Sequence, residues 1–202
     1  MKKNYFFRFL LLMIPFLAFV LMSQSGGRTQ GFNSGSPGDN GNTCSQCHSG
    51  GSFTGSPSIT TNIPSSGYEL NTDYTISVNL ASTNAPRAGY QLTAEKISDN
   101  SKAGTFIAGT NAQVFNSNSH VTHPSPLGTG GNFTVDITWK SPSTDEGEIK
   151  FYASINGVDG NGGTTGDSVF NTNTSVGSLS ISEANRLDFS MYPNPSSEEM
   201  VT

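Results

Sequence analysis

The chain has 202 residues, with 15 acidic and ten basic side chains, and glycine is abundant at 23 residues. Three of the basic residues (Lys2, Lys3 and Arg8) lie just before an apolar N-terminal run. The rest of the chain therefore has seven basic and fifteen acidic residues, a net charge of −8. This charge argues against nucleic acid or an anionic membrane surface as a partner, because both require a basic face.

Residues 1–25 are predicted to form a secretory signal peptide. A basic start is followed by an apolar run over residues 9–22, which is short for a membrane span and is interrupted by Pro15. An uncleaved anchor is the alternative, because no A-x-A cleavage site is visible. No membrane span is expected once the signal is removed.

Residues 26–56 are rich in glycine, serine and asparagine and show neither helical nor strand periodicity, so a loop region is predicted. This region holds the pentapeptide CSQCH. It contains the two cysteines of the chain, Cys44 and Cys47, and one of the three histidines, His48.

Strand patterns follow over residues 57–182. Four segments alternate apolar and polar residues with a period of two, at 73–81, 89–97, 132–140 and 148–156. Weaker strands are predicted at 57–62, 104–108, 112–116, 167–172 and 175–182. Many short strands with Gly, Pro and Asn turns predict an all-β, two-sheet antiparallel sandwich, preceded by the Gly/Ser-rich loop region.

The alternation also predicts which side chains fill the space between the two sheets. The predicted core residues are Tyr74, Ile76, Val78, Leu92, Val135, Ile137, Trp139, Phe151 and Ala153. Trp139, the single tryptophan, is expected to pack in this core rather than to bind a ligand.

Residues 183–202 differ in character from the strands. The segment LDFSMYPNPSSEEMVT resembles the opening of the C-terminal sorting domain of type IX secretion substrates in Bacteroidetes. The resemblance covers about the last 16 residues and implies that the type IX secretion machinery is a partner. It implies export to the outer-membrane cell surface of a Gram-negative bacterium, or secretion. Because the pattern stops early, a truncated start of a sorting domain is expected.

The body of the chain resembles bacterial reeler-like domains of the choice-of-anchor V type. The segments SGSPGDNGNTCSQCHSG, AGYQLTA, VTHPSPLG and FTVDITWKSPSTDEGEIKFYASINGVDGNGGTTGDSVFNT occur in that family's order, over residues 35 to about 172. The resemblance implies an immunoglobulin-like sandwich after a glycine-rich C-x-x-C-H loop. It implies fold and location more than activity.

C-x-x-C-H is the attachment signature of c-type haem. The thiols of Cys44 and Cys47 would reach two vinyl groups at one edge of the macrocycle, with His48 as the proximal iron ligand. His120 or His123 could be the sixth ligand, because every methionine before residue 191 lies in the signal. The reeler-like resemblance favours His123, which precedes the tryptophan strand. The sparse apolar residues around the motif and the lack of helices weigh against haem.

Two other interpretations of the motif remain open. A Cys44–Cys47 disulfide would close the loop in an oxidising compartment, giving a purely structural or adhesive domain. Zinc could bind Cys44, Cys47, His120 and His123, although two histidines three residues apart in a strand face opposite sides. A thiol–disulfide exchange enzyme is disfavoured because no helix follows the motif.

A second polar cluster, formed by Asn156, Asp159, Asn161 and Asp167, offers oxygen ligands for calcium. Gly-rich turns use Asn and Asp without a metal, so calcium, like zinc, is disfavoured.

No hydrolase or phosphate-binding motif occurs. We therefore expect a secreted, non-catalytic surface module carrying one covalent haem for electron transfer, whose redox partner or surface ligand the sequence does not name.

Overall fold

Two β-sheets face each other in the computed structural model, which describes residues 26–128 and 130–179. The strands are β1 (Ser49–Gly50), β2 (Ser56–Thr61), β3 (Asp73–Thr83), β4 (Arg87–Lys96), β5 (Thr105–Ile107), β6 (Gln113–Phe115), β7 (His120–Thr122), β8 (Gly131–Lys140), β9 (Ile149–Val158) and β10 (Thr165–Val176). The all-β sandwich predicted from the alternating segments is confirmed. No helix in the described ranges is long and apolar enough to span a membrane.

One sheet has six strands in the order β1-β10-β9-β4-β7-β6, and the other has four in the order β2-β3-β8-β5. All strand pairs are antiparallel except β1 with β10, which is parallel. The long pairs set the register of each sheet. Tyr74 lies opposite Trp139 in the smaller sheet, and Leu92 lies opposite Ala153 in the larger one.

The core lies between the two sheets, and all nine residues predicted for it are buried. Trp139 is fully buried, with its ring 5.0 Å from that of Phe151 in an edge-on arrangement. Its indole N–H donates to the carbonyl of Ala103 at 3.1 Å, so the buried polar atom has a partner. The prediction that this side chain is a core residue is confirmed.

Three local predictions need correction. A single long strand, β10, replaces the two strands predicted at 167–172 and 175–182, although residues 180–182 lie outside the described part. Strands β1 and β7 were not predicted, because two or three residues are too few to show a period. The loop region also contains two 3₁₀ turns, Pro37–Asp39 and Cys44–Gln46.

The polar face of β4 is buried, contrary to the half-buried strand that its alternation predicts. Gln91, Thr93 and Glu95 are at most 3% exposed, because the 26–56 segment covers this face of the larger sheet. The Gln91 amide donates to the carbonyls of Arg28 and Gly31 at 3.2 and 3.3 Å. The segment is irregular in secondary structure, but its polar contacts fix it to the sheet.

Candidate functional site

The C-x-x-C-H motif forms a tight turn on the outer face of the larger sheet. The Thr43 hydroxyl accepts a bond from the Ser45 N–H at 3.2 Å, and the His48 N–H donates to the Cys44 carbonyl at 3.0 Å. The Cys44 N–H donates to the hydroxyl oxygen of Ser154 on β9 at 3.0 Å. The first cysteine of the motif is therefore held on the sheet by a buried side chain.

His48 is placed by the short parallel strand that follows it. Gly50 pairs with Asp167 of β10, and the Gly51 N–H donates to the Asp167 carbonyl at 2.9 Å. Nδ1 of His48 then lies 2.7 Å from Oδ2 of Asp167, whose side chain is fully buried. Nε2 of His48 makes no hydrogen bond to any part of the chain that the structure describes.

His123, on the loop after β7, is also held through Nδ1. This atom lies 3.0 Å from the backbone nitrogen of Tyr90 and 3.2 Å from its carbonyl oxygen. The ring packs directly on Gly89, where a Cβ atom would come within 2.5 Å of the ring carbon Cε1. Burial lowers the pKa of His123, the Tyr90 backbone opposes this, and repulsion from His48 adds to the lowering. The neutral ring is therefore favoured, and a neutral imidazole is the form that binds metals.

Cys44, Cys47, His48 and His123 line one cavity of about 1040 Å³. Its other walls include residues 26–30, the start of β4, the end of β9 and the loop between β9 and β10. Asn156 of β9 is also in the wall, and its Oδ1 is buried without a hydrogen-bond donor among the described residues. Segments far apart in the sequence thus meet around a space of the size that proteins use for small molecules and cofactors.

His120 does not line this cavity. Its ring is fully buried, with Nε2 3.1 Å from Asp39 and Nδ1 2.8 Å from the Ser119 hydroxyl. It also stacks on Phe32, with 4.7 Å between ring centroids. The structure therefore brings four of the five candidate ligands together and leaves His120 in a separate polar cluster, as strand alternation requires for histidines three residues apart.

The four residues considered for zinc are accordingly not gathered around one point. Within residues 26–128 and 130–179, no group of three or more His, Cys, Asp or Glu side chains could hold a metal ion. A c-type haem is held by two thiols and by one or two imidazoles, so these residues need not all converge on one atom as they must around a bare metal ion.

The two cysteines are not bonded to each other, and they differ in environment. Cys47 is exposed, whereas Cys44 is partly buried and its thiol lies 3.8 Å from the carbonyl oxygen of Ser154. Burial raises the pKa of the Cys44 thiol. Thiol–disulfide exchange enzymes lower this pKa with a helix N-terminus, and only a three-residue 3₁₀ turn, Cys44–Gln46, stands here.

Three of the four residues considered for calcium use their side-chain oxygens in hydrogen bonds within the described residues, and the exception is Asn156. Asp159 accepts bonds from the backbone and side-chain nitrogens of Asn161 at 2.9 and 2.7 Å. The Asn161 amide oxygen accepts from the Gly163 N–H at 2.6 Å. Asp167 accepts from the Asp159 N–H and contacts His48. Asp159 and Asn161 therefore stabilise the turn between β9 and β10, whereas Asn156 and Asp167 lie in the two strands.

Sequence reasoning missed three functional features of the site. Asp167 was considered only for calcium, although it contacts His48 across 119 residues. Ser154 is a polar residue of a predicted strand that is fully buried and contacts Cys44, and Asn156 was considered only for calcium. Arg28 and Arg87 also line the cavity, and neither forms an ion pair within the described residues. No local sequence pattern indicates Ser154, Arg28 or Arg87, or the contact between Asp167 and His48.

The fold and site together define a β-sandwich domain whose outer face carries a motif-lined cavity. The Reeler domain family matches residues 39–157, more than half of the chain, and the chain belongs to this family. The matched range includes the C-x-x-C-H motif and His123. The predicted reeler resemblance is confirmed at the level of the family. No curated protein matches the chain.

Solved structures with similarity to the chain include reeler domains of F-spondin. Fragment 2 of the human F-spondin reeler domain is 18% identical, covering 65% of this chain and 95% of that one, with a TM-score of 0.46. Fragment 1 is 23% identical over 54% and 77%, with a TM-score of 0.38. The Reelin-N domain of F-spondin is 16% identical over 76% and 100%, with a TM-score of 0.45.

Proposed function

We propose that this domain carries one covalently attached c-type haem in the cavity and serves as an electron-transfer module. Cys44 and Cys47 would hold the haem through thioether bonds, and His48 and His123 would supply imidazole ligands to its iron. The observation that carries the proposal is that these four residues line a single cavity of about 1040 Å³.

The donor atoms available in the cavity fit this cofactor. His48 and His123 each have Nδ1 engaged by a fixed partner, Asp167 or the Tyr90 backbone. For His48 this leaves Nε2 as the nitrogen that could act as a ligand. For His123, Nε2 is left as the ligand atom when Nδ1 donates to the Tyr90 carbonyl at 3.2 Å, the arrangement usual for metal-binding histidines. Asn156 adds a buried oxygen for which the described part of the chain offers no donor, and a bound molecule or a water in the cavity could satisfy it.

A haem, when bound, supplies an iron centre that gains and loses one electron. His48 and His123 would both serve as iron ligands, which favours electron transfer over binding of a substrate at the iron. Cys47 is exposed and His48 is partly exposed, so the site reaches the protein surface. These features favour electron exchange with a partner over chemistry on a bound substrate.

The proposed location is the cell surface of a Gram-negative bacterium, or the medium around it. The basic and apolar pattern of residues 1–25 supports export across the inner membrane, and the YPNP segment supports delivery by the type IX secretion machinery. Covalent haem attachment takes place outside the cytoplasm, so this route is compatible with the cofactor.

Expression of the exported protein in a host with c-type maturation machinery tests the proposal. The wild-type protein should be red and heavier by one haem, and this mass should persist in denaturant because thioether bonds survive unfolding. Cys44→Ser and Cys47→Ser should lose the attachment, whereas Gln46→Ala, in the same turn, should retain it. His48→Ala should disturb the iron ligation.

A colourless wild-type protein, two protons lighter than the reduced chain, would contradict the proposal. It would instead establish the competing function, a structural or adhesive surface domain with a Cys44–Cys47 disulfide. A red protein whose haem is removed by denaturant would also contradict covalent attachment, because a non-covalent haem is released when the chain unfolds.

A further inference from the structure

We propose that Asp167 is a positioning residue for His48, and that it makes the Nε2 atom of His48 a stronger donor to a bound metal. The inference rests on the proposed function and deepens it, because it assigns a role to a residue outside the C-x-x-C-H motif. Its physical basis is one short contact between His48 and a fully buried carboxylate.

The position of Asp167 is determined from several directions. Its backbone pairs with Gly50 of β1 and accepts the Gly51 N–H, and its Oδ1 accepts the Asp159 N–H at 3.2 Å. Its Oδ2 is then left for Nδ1 of His48 at 2.7 Å. Because the side chain has no exposed surface, water does not compete for this bond.

This contact fixes which nitrogen of His48 carries the proton. A carboxylate accepts hydrogen bonds, so a neutral His48 must keep its proton on Nδ1 and leave a lone pair on Nε2. Such a carboxylate–histidine pair also increases the electron density of the ligand. A buried negative charge next to an axial ligand favours the oxidised, more positive state of the iron.

The first test needs no cofactor. Nitrogen-15 NMR of the wild-type protein without haem, made in the reducing cytoplasm at about pH 8, above the ordinary imidazole range, should show His48 as the tautomer with the proton on Nδ1. A His48 with its proton on Nε2, or a mixture of both tautomers, would overturn the inference. This measurement requires no variant, so it does not depend on whether an altered Asp167 folds.

The second test uses the haem-bearing protein and the pair Asp167→Asn and Asp159→Asn. Both remove one negative charge beside the cavity, but only Asp167 contacts His48. Asp167→Asn should raise the midpoint potential and shift the reduction equilibrium on the order of tenfold toward the reduced state. Asp159→Asn should shift it much less.

The role of Asp167 and the haem proposal would be rejected by different results. A red Asp167→Asn protein with an unchanged potential would overturn the role of Asp167 and leave the haem proposal intact. Equal shifts in both variants would also overturn it, because they would indicate a general charge effect. A wild-type protein that attaches no haem would reject the proposed function, and the tautomer measurement would still decide whether Asp167 positions His48.

Discussion

Nε2 of His120 lies 3.1 Å from both carboxylate oxygens of Asp39, across 81 residues of sequence. Lys102 completes the contact, with its ammonium 2.6 Å from Asp39 and 2.5 Å from Glu95. Asp39 belongs to the 26–56 segment, whereas His120 and Glu95 belong to strands of the larger sheet. This buried cluster therefore holds the segment that carries the C-x-x-C-H motif against the sandwich.

We predict that the domain loses stability in acid partly through Asp39. Burial alone raises the pKa of the Asp39 carboxyl, but hydrogen bonds from His120, Lys102 and Ser34 outweigh burial and hold the pKa well below its usual range. Since the unfolded pKa is about 3.9, this stabilisation is present above about pH 4 and is lost as the pH falls toward the folded pKa.

Urea unfolding at a series of pH values from about 5 to 2 checks this prediction. The free energy of unfolding of Asp39→Asn should fall less steeply with decreasing pH than that of the wild type. The pKa values of Asp99 and Asp145 are also lowered, and they affect both proteins equally. Parallel curves for the two proteins would show that Asp39 does not contribute to the acid sensitivity.

A second prediction concerns the cation of the cluster. Lys102→Met should lower the free energy of unfolding by about 3 kcal/mol, because two buried carboxylates then lose their shared counter-charge. Lys140→Met is the control, since Lys140 is exposed at the end of β8 and should change stability by about 0.5 kcal/mol or less. Urea unfolding measures both, and similar losses in the two variants would contradict the prediction.

Gly89→Ala should displace His123. The new Cβ would lie 2.5 Å from the ring carbon Cε1, closer than any real contact, so the ring must move. Overpacking should cost about 1–3 kcal/mol, and the His123 signals in NMR should shift. Gly109→Ala is the control, because its new Cβ would meet only Ala112 at 3.9 Å.

In the haem-bearing protein, an unchanged low-spin spectrum for Gly89→Ala would argue against His123 as the axial ligand.

Ser154→Ala should reduce the yield of haem attachment. The variant removes the hydroxyl that accepts the Cys44 N–H at 3.0 Å, so the turn loses one hydrogen bond to β9 and about 1 kcal/mol of stability. Ser168→Ala removes an equivalent bond, from the Phe53 N–H at 3.0 Å, away from the motif. Unfolding should report similar losses for both, and only Ser154→Ala should lower the attached haem per protein. Equal yields would show that the Ser154 bond does not matter for attachment.

The segment after residue 182 should direct export and not stabilise the sandwich. In a type IX-competent host, removing residues 183–202 and any sorting sequence beyond them should leave a folded protein in the periplasm. Cell fractionation and surface protease digestion check the location, and circular dichroism checks the fold. Surface delivery that persists after the deletion would contradict the sorting prediction.

The alternation of apolar and polar residues was sufficient to predict the sandwich and its core. Tyr74, Ile76, Leu92 and Trp139 are buried as predicted, because a strand with one apolar face can satisfy that face only against another sheet. The same rule predicted that Gln91 and Glu95 face solvent, but both are buried, because a segment far away in sequence covers them. Local patterns therefore described the inner faces of the sheets and not the outer face of β4.

The candidate site divides in the same way between sequence and structure. The spacing of Cys44, Cys47 and His48 is a property of one pentapeptide, and the sequence alone determined that the motif offers two thiols and an imidazole. Only the tertiary structure decided that His123, and not His120, shares their cavity, and that Asp167 contacts His48. The physical reason is that these partners meet through β-pairing and turn geometry between distant segments, which a linear pattern of residue types does not encode.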